Sequence, residues 1–217
     1  MVYNKADFKN YISALEIEGF ELESAVQAYL FVRKKADRRE TITISYKDYS
    51  PHGFYIAGVS ADRFLNEIED ILASLLLKHG IKEAYRSTIG KSFQGIEGIN
   101  YDAFNIEVNS EPSFNEVIGE VKKIVDEFAL PFFDKYNSLG NFADLLADKK
   151  PEEIVPYMRG PILLPKTVLI LREAQHPEYK NKLNEFFLVL GQYAEIKESY
   201  RPFLSVFKEM FSRDLED

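Results

Sequence analysis

The strongest constraint in the sequence is a change of period. Ile42, Ile44 and Tyr46 alternate with Thr41, Thr43, Ser45 and Lys47. Side chains of a strand point to opposite faces in turn, so residues 41–47 read as a strand with one apolar and one polar face. That pattern suits an antiparallel sheet lying on a core. Residues 26–32 are more continuously apolar, with Tyr29 and Phe31 set against Ala28, Leu30 and Val32, as in a strand covered on both faces. Residues 54–59 form a third short run, separated from the second by Asp48, Tyr49, Ser50, Pro51, His52 and Gly53, which has the composition of a loop. Then Phe64, Ile68, Ile71, Leu72, Leu75 and Leu76 recur at three and four residues, the spacing of one helix face. Ser60 is placed to cap that helix and Gly80 to end it. Three strands followed by a helix predict an α+β fold, with the helix laid across the apolar face of the sheet.

The remaining segments extend this frame. Phe8, Tyr11, Ile12 and Leu15 mark an amphipathic helix ending near Gly19, and Phe20 begins an extended segment. Residues 84–93 carry a weak strand pattern, and 104–108 a clearer one in Phe104, Ile106 and Val108. Ser113 and Glu116 have the spacing of a capping box behind Pro112, and Phe114, Val117, Ile118, Val121, Ile124, Val125 and Phe128 form a wide apolar stripe. Pro131 must kink or end this helix, because proline lacks the N–H and crowds the preceding turn. From residue 138 onward the patterns are helical: 142–148, 151–158, 166–175, 178–195, and a last helix that Ser199 is placed to cap. The expected architecture is an antiparallel sheet of about four or five strands with packed helices (residues 1–137), followed by an all-helical C-terminal part (138–217) packed on it.

Composition narrows the function. The 217 residues include no cysteine, which removes disulfides, thiolate catalysis and cysteine-ligated metal and agrees with a reducing cytoplasm. The net charge of −8 argues against nonspecific nucleic-acid binding and favours a basic partner. No run approaches the roughly 18 apolar residues that span a bilayer, and Met1 leads into Asn4, Lys5 and Asp7 without a signal-like apolar stretch.

Few motifs carry chemistry. Gly90, Lys91 and Ser92 echo a phosphate-binding loop, but Tyr85 stands where that loop needs its first glycine. The three histidines, His52, His79 and His176, are isolated and lack metal-ligand spacing, and no cofactor is expected. His79 and His176 stand at helix ends. His52 lies in a polar loop, and a pocket of Tyr49, His52, Arg86 and Tyr101 is the alternative site, for a small-ligand binder or a hydrolase-like enzyme. The strongest anomaly is Arg33, Lys34, Lys35, Arg38 and Arg39, five cations in seven residues between two strands of an acidic chain. They form either an anion or docking site or a solvated hairpin end that keeps the sheet edge from aggregating.

The N-terminal helix, the Phe20 start, the Ile42–Ile44–Tyr46 and Phe54–Val59 strands and Leu130–Pro131–Phe132–Phe133 together resemble the layout of uncharacterised bacterial α+β domains of unknown function. Some of these resemble accessory or toxin-immunity proteins. The resemblance covers residues 5–137 and carries no catalytic motif. It implies a bacterial cytoplasmic protein without an assigned activity. With no catalytic set in view, the expected function is a non-enzymatic protein-binding module, with an unidentified protein partner and no nucleic-acid or membrane contact.

Overall fold

The first half of the chain builds a five-stranded antiparallel sheet in the order β1-β2-β3-β4-β5. The strands are β1 (Glu21–Ala25), β2 (Ala28–Lys34), β3 (Arg38–Asp48), β4 (Phe54–Leu65) and β5 (Ile89–Ser92). The computed structural model describes residues 5–49, 53–82, 87–93, 97–158 and 160–216. The chain divides into two compact units, Met1–Arg63 with Gly90–Lys135, and Phe64–Ile89 with Tyr136–Asp217.

In the first unit the register of β2 on β3 sets Tyr29 opposite Ile44 and Phe31 opposite Ile42, all four buried. This is the apolar face that the alternation of Ile42 and Ile44 predicts. It is covered by α1 (Lys5–Ser13) and α3 (Glu111–Ile124). Phe8 of α1 has no solvent exposure, and its ring lies 5.4 Å from Phe54 and 5.7 Å from Phe114. The helix that follows β4, α2 (Asn66–Lys78), belongs to the second unit instead, where α7 (Leu163–Glu173) and α9 (Arg201–Met210) are its neighbours.

Several boundaries differ from the sequence expectation: the first helix ends at Ser13, the last helix starts at Arg201 with Tyr200 rather than Ser199 as its N-cap, and three more differ for a local reason. Ser60 does not cap α2, because β4 runs on to Leu65. Burial along β4 alternates on Phe54, Ile56 and Gly58, changes phase at Val59, and continues on Ala61, Arg63 and Leu65. Two consecutive inward residues are the signature of a bulge, and Gly58, at φ +150°, takes a conformation that glycine alone adopts readily. Residues 104–108 form no strand: a 3-10 helix covers Tyr101–Asn105, started by the Asn100 side chain accepting from the Asp102 N–H. That local bond competes with any ladder. The fifth strand is β1, in the extended segment after Phe20. The capping box of α3 is Ser110 with Ser113, one turn before the predicted position, and Pro112 sits in the first turn.

Pro131 meets a ladder already altered. A π turn over Val125–Ala129 separates α3 from α4 (Leu130–Lys135), and the proline is the second residue of α4. The helical path therefore survives a residue that cannot donate, through a change of hydrogen-bond pattern just ahead of it.

The second unit continues from α2 with α5 (Leu139–Ala147), α6 (Pro151–Ile154), α7 (Leu163–Glu173), α8 (Tyr179–Ile196) and α9 (Arg201–Met210). Val168, Leu169, Ile170 and Leu171 of α7 have no exposure on any side, the condition of a helix enclosed by others. Its neighbours are α2, α5, α6, α8 and α9. Gly80, at φ +72°, ends α2 as the sequence predicts, with the Ile81 N–H returning to the Leu76 carbonyl. Among the described residues no helix is long and apolar enough to cross a membrane.

Gly90 lies in β5, and Tyr85, at the other end of the phosphate-loop comparison, lies outside the described residues. A Cβ on Gly90 would stand 2.1 Å from Asp62 Oδ1 and 3.2 Å from the Ala61 carbonyl oxygen. The glycine serves close strand approach. Gly90→Ala is expected to cost about 1–3 kcal/mol by overpacking, read as a lower denaturant midpoint. An unchanged midpoint would mean that Asp62 swings aside freely.

Candidate functional site

The five hairpin cations do not act as one patch, because strand pleating divides them. Arg33 faces Glu40 across the β2–β3 register, on the face that carries Phe31 and Ile42. Arg38, two residues before Glu40, shares that face. Lys34 and Arg39 point the other way and meet on Glu23 of β1, at 2.7 Å and 3.6 Å. Their carboxylate is held below its ordinary range, chiefly by the Lys34 hydrogen bond. Lys35 is exposed at the turn, which closes through the Lys35 N–H on the Arg38 carbonyl.

On the inner face the cations gather round one carboxylate. Glu40 has no solvent exposure. Its Oε2 accepts from Arg33 Nε at 2.5 Å, its Oε1 accepts from Arg63 Nη2, and Arg38 Nε lies 3.3 Å from Oε1. Arg63 comes from β4, is 1 % exposed, and also donates to the Phe133 carbonyl at 2.9 Å. Aromatic rings hold the guanidinium planes: Arg33 stacks 4.5 Å from the Phe20 centroid, and Arg63 lies 5.4 Å from that of Phe133.

The electrostatics follow from this geometry. Burial pushes the Glu40 carboxyl up, but the arginines outweigh it and keep it below the usual carboxylate range. Burial lowers the pKa of Arg63; Glu40 opposes that, while Arg38 and Arg33 add to it by repulsion. With the hairpin included, five cations (Arg33, Lys34, Arg38, Arg39 and Arg63) pair with three carboxylates (Glu23, Asp37 and Glu40).

Glu40, Arg63 and Glu23 are absent from the sequence candidates. A signal for Glu40 existed: it stands two residues before Ile42, in phase with the buried side of β3. A charged residue at an inward strand position is buried, and buried charges need partners. Arg63 carries the same signal only once the phase change at Val59 is known.

The alternative pocket is placed in part. Tyr49 is exposed, with its ring 6.0 Å from that of Tyr55. His52 and Arg86 lie outside the described residues, and so does the side chain of Tyr101, whose backbone opens the 3-10 helix. The other histidines have structural partners. His79 Nε2 is 2.9 Å from Glu209, and His176 Nδ1 accepts from the Glu178 N–H.

In the second unit two surface grooves flank α8. One, of about 550 Å³, includes Leu188, Leu204 and Lys208, and the other, of about 240 Å³, includes Val155, Tyr193 and Tyr200. No family model, no curated protein and no solved structure matches the chain.

Proposed function

We propose that this chain is a non-enzymatic protein-binding module that docks an acidic segment of a partner on the β2–β3 end of its sheet. One observation carries the reading: five cations fall within residues 33–39, at this end of a protein whose net charge is −8. A local surplus that opposes the overall charge steers an acidic partner to one place and orients it. Lys34 is 65 % exposed and Arg39 40 % exposed, so both reach a docked surface. The toxin-neutralising or accessory role implied by the resemblance, in a bacterial cytoplasm, is one form of this function.

The pairing pattern selects the test. Reversing Arg38 would set a carboxylate beside buried Glu40 and damage the fold, whereas Lys34 and Lys35 are exposed. In a pull-down from lysate of the source organism, the wild-type chain is expected to retain a near-stoichiometric partner that elutes with salt. Lys34→Glu with Lys35→Glu is expected to cut retention about tenfold. Equal retention by the variant would remove the hairpin from the contact, and no enriched partner would remove the binding-module reading.

A further inference from the structure

We infer that Arg33 and Arg38, backed by Arg63, form a binding site for a tetrahedral oxyanion of the phosphate class. The inference deepens the docking reading above and rests on it only for the source of the phosphate, since a partner's phosphorylated side chain would seat there.

The argument begins with charge. Three guanidinium groups converge on Glu40, and Arg38 also meets the exposed Asp37 carboxylate. Two of these arginines are mostly shielded, with side chains 25 % and 20 % exposed, and the third is 2 % exposed. Cations held this far from water call for counter-charge. A phosphate monoester carries about −1.5 to −2 near neutral pH and supplies such a counter-charge.

Donor geometry points the same way. Arg33 gives Glu40 only its Nε, and among the described residues nothing accepts from its terminal nitrogens. Arg38 Nε is shut off from solvent and makes no hydrogen bond, since it approaches Glu40 without alignment. Its Nη1 reaches only the exposed Asp37 carboxylate, at 3.0 Å. Guanidinium forks match the paired oxygens of phosphate, and the forks here are set in advance by Glu40 and by the Phe20 ring. Arg33 and Arg38 have the exposure to touch a ligand, while buried Arg63 contributes its field and holds Glu40 in place. Glu40 therefore organises the site and leaves its charge only partly neutralised.

The test titrates the full chain with inorganic phosphate, a phosphoserine peptide and its unphosphorylated serine counterpart, at constant ionic strength in chloride. Saturable phosphate binding is expected in the wild type. Arg38→Lys keeps the charge and removes the fork; it is expected to weaken phosphate about tenfold with an unchanged circular-dichroism spectrum. A phosphopeptide at least tenfold tighter than inorganic phosphate would identify a partner's side chain as the source, and equal affinities a small ion. Lys34→Glu with Lys35→Glu is expected to lose the acidic partner yet keep phosphate, which separates failure of the docking reading from failure of this one. Two results would overturn the inference: wild-type phosphate binding no stronger than chloride, or binding unaffected by Arg38→Lys in a folded protein.

Discussion

Glu40→Gln is expected to lower stability by about 3–5 kcal/mol. The carboxylate has no exposure and is the shared acceptor for Arg33 and Arg63, with Arg38 beside it. Glutamine keeps the shape and one acceptor oxygen but removes the negative charge that the three neighbouring cations share, leaving them to repel one another. Exposed ion pairs are worth well under this amount, so the effect separates a buried centre from a surface network. Urea midpoints would measure it, and a change below about 1 kcal/mol would show that solvent, rather than Glu40, balances the arginines. The pH dependence has a definite sign. The folded carboxyl titrates below its unfolded value of about 4.3, so its contribution is complete above that value. It is lost as pH falls through the lower folded value. The wild type is therefore expected to lose stability on acidification more steeply than Glu40→Gln, the two curves converging at the acid end.

The second large effect belongs to the helical unit. Lys166 of α7 is 1 % exposed; its ammonium lies 2.8 Å from the Glu69 carboxylate and donates to the Ser87 carbonyl at 2.8 Å. Burial lowers its pKa, against the opposing pull of Glu69. Lys166→Met is expected to cost about 3–5 kcal/mol, because Glu69, 6 % exposed, is left as a buried charge without its cation. The double variant Lys166→Met with Glu69→Leu is expected to recover most of that loss, since apolar packing replaces a buried pair at little cost. Thermal unfolding of the three variants checks both statements. A double variant as unstable as the single one would place the loss in packing around α7 instead of in the stranded charge.

The sheet was legible in the sequence where one face is apolar and the other polar. Ile42, Ile44 and Tyr46 announce β3 because their period is two and nothing interrupts it. β4 was legible only to Val59, because the inward positions change phase there and one of them, Arg63, is charged. A search for apolar alternation passes over an arginine, so the pattern reads as a strand ending at Val59 and a helix capped by Ser60. The strand read at 104–108 failed for a different reason: a single side-chain bond at Asn100 set a 3-10 turn that residue spacing does not register. The cation run at 33–39 was visible as composition. Its division between Glu40 and Glu23 was not, since that depends on which face each position takes and on a partner, Arg63, 23 residues beyond Glu40.

The phase change at Gly58 and Val59 makes β4 a counting device. From Val59 to Arg63 every second residue turns inward, and the arginine reaches Glu40 only because the count is right. Adding or deleting one residue in that interval would send Arg63 to the opposite face and bring Asp62 or Phe64 in its place. A substitution at an outward position of β4 is therefore expected to cost less than a one-residue insertion between Val59 and Arg63. In any lineage that keeps the Glu40 centre, the spacing from Val59 to Arg63 would be the more slowly changing character.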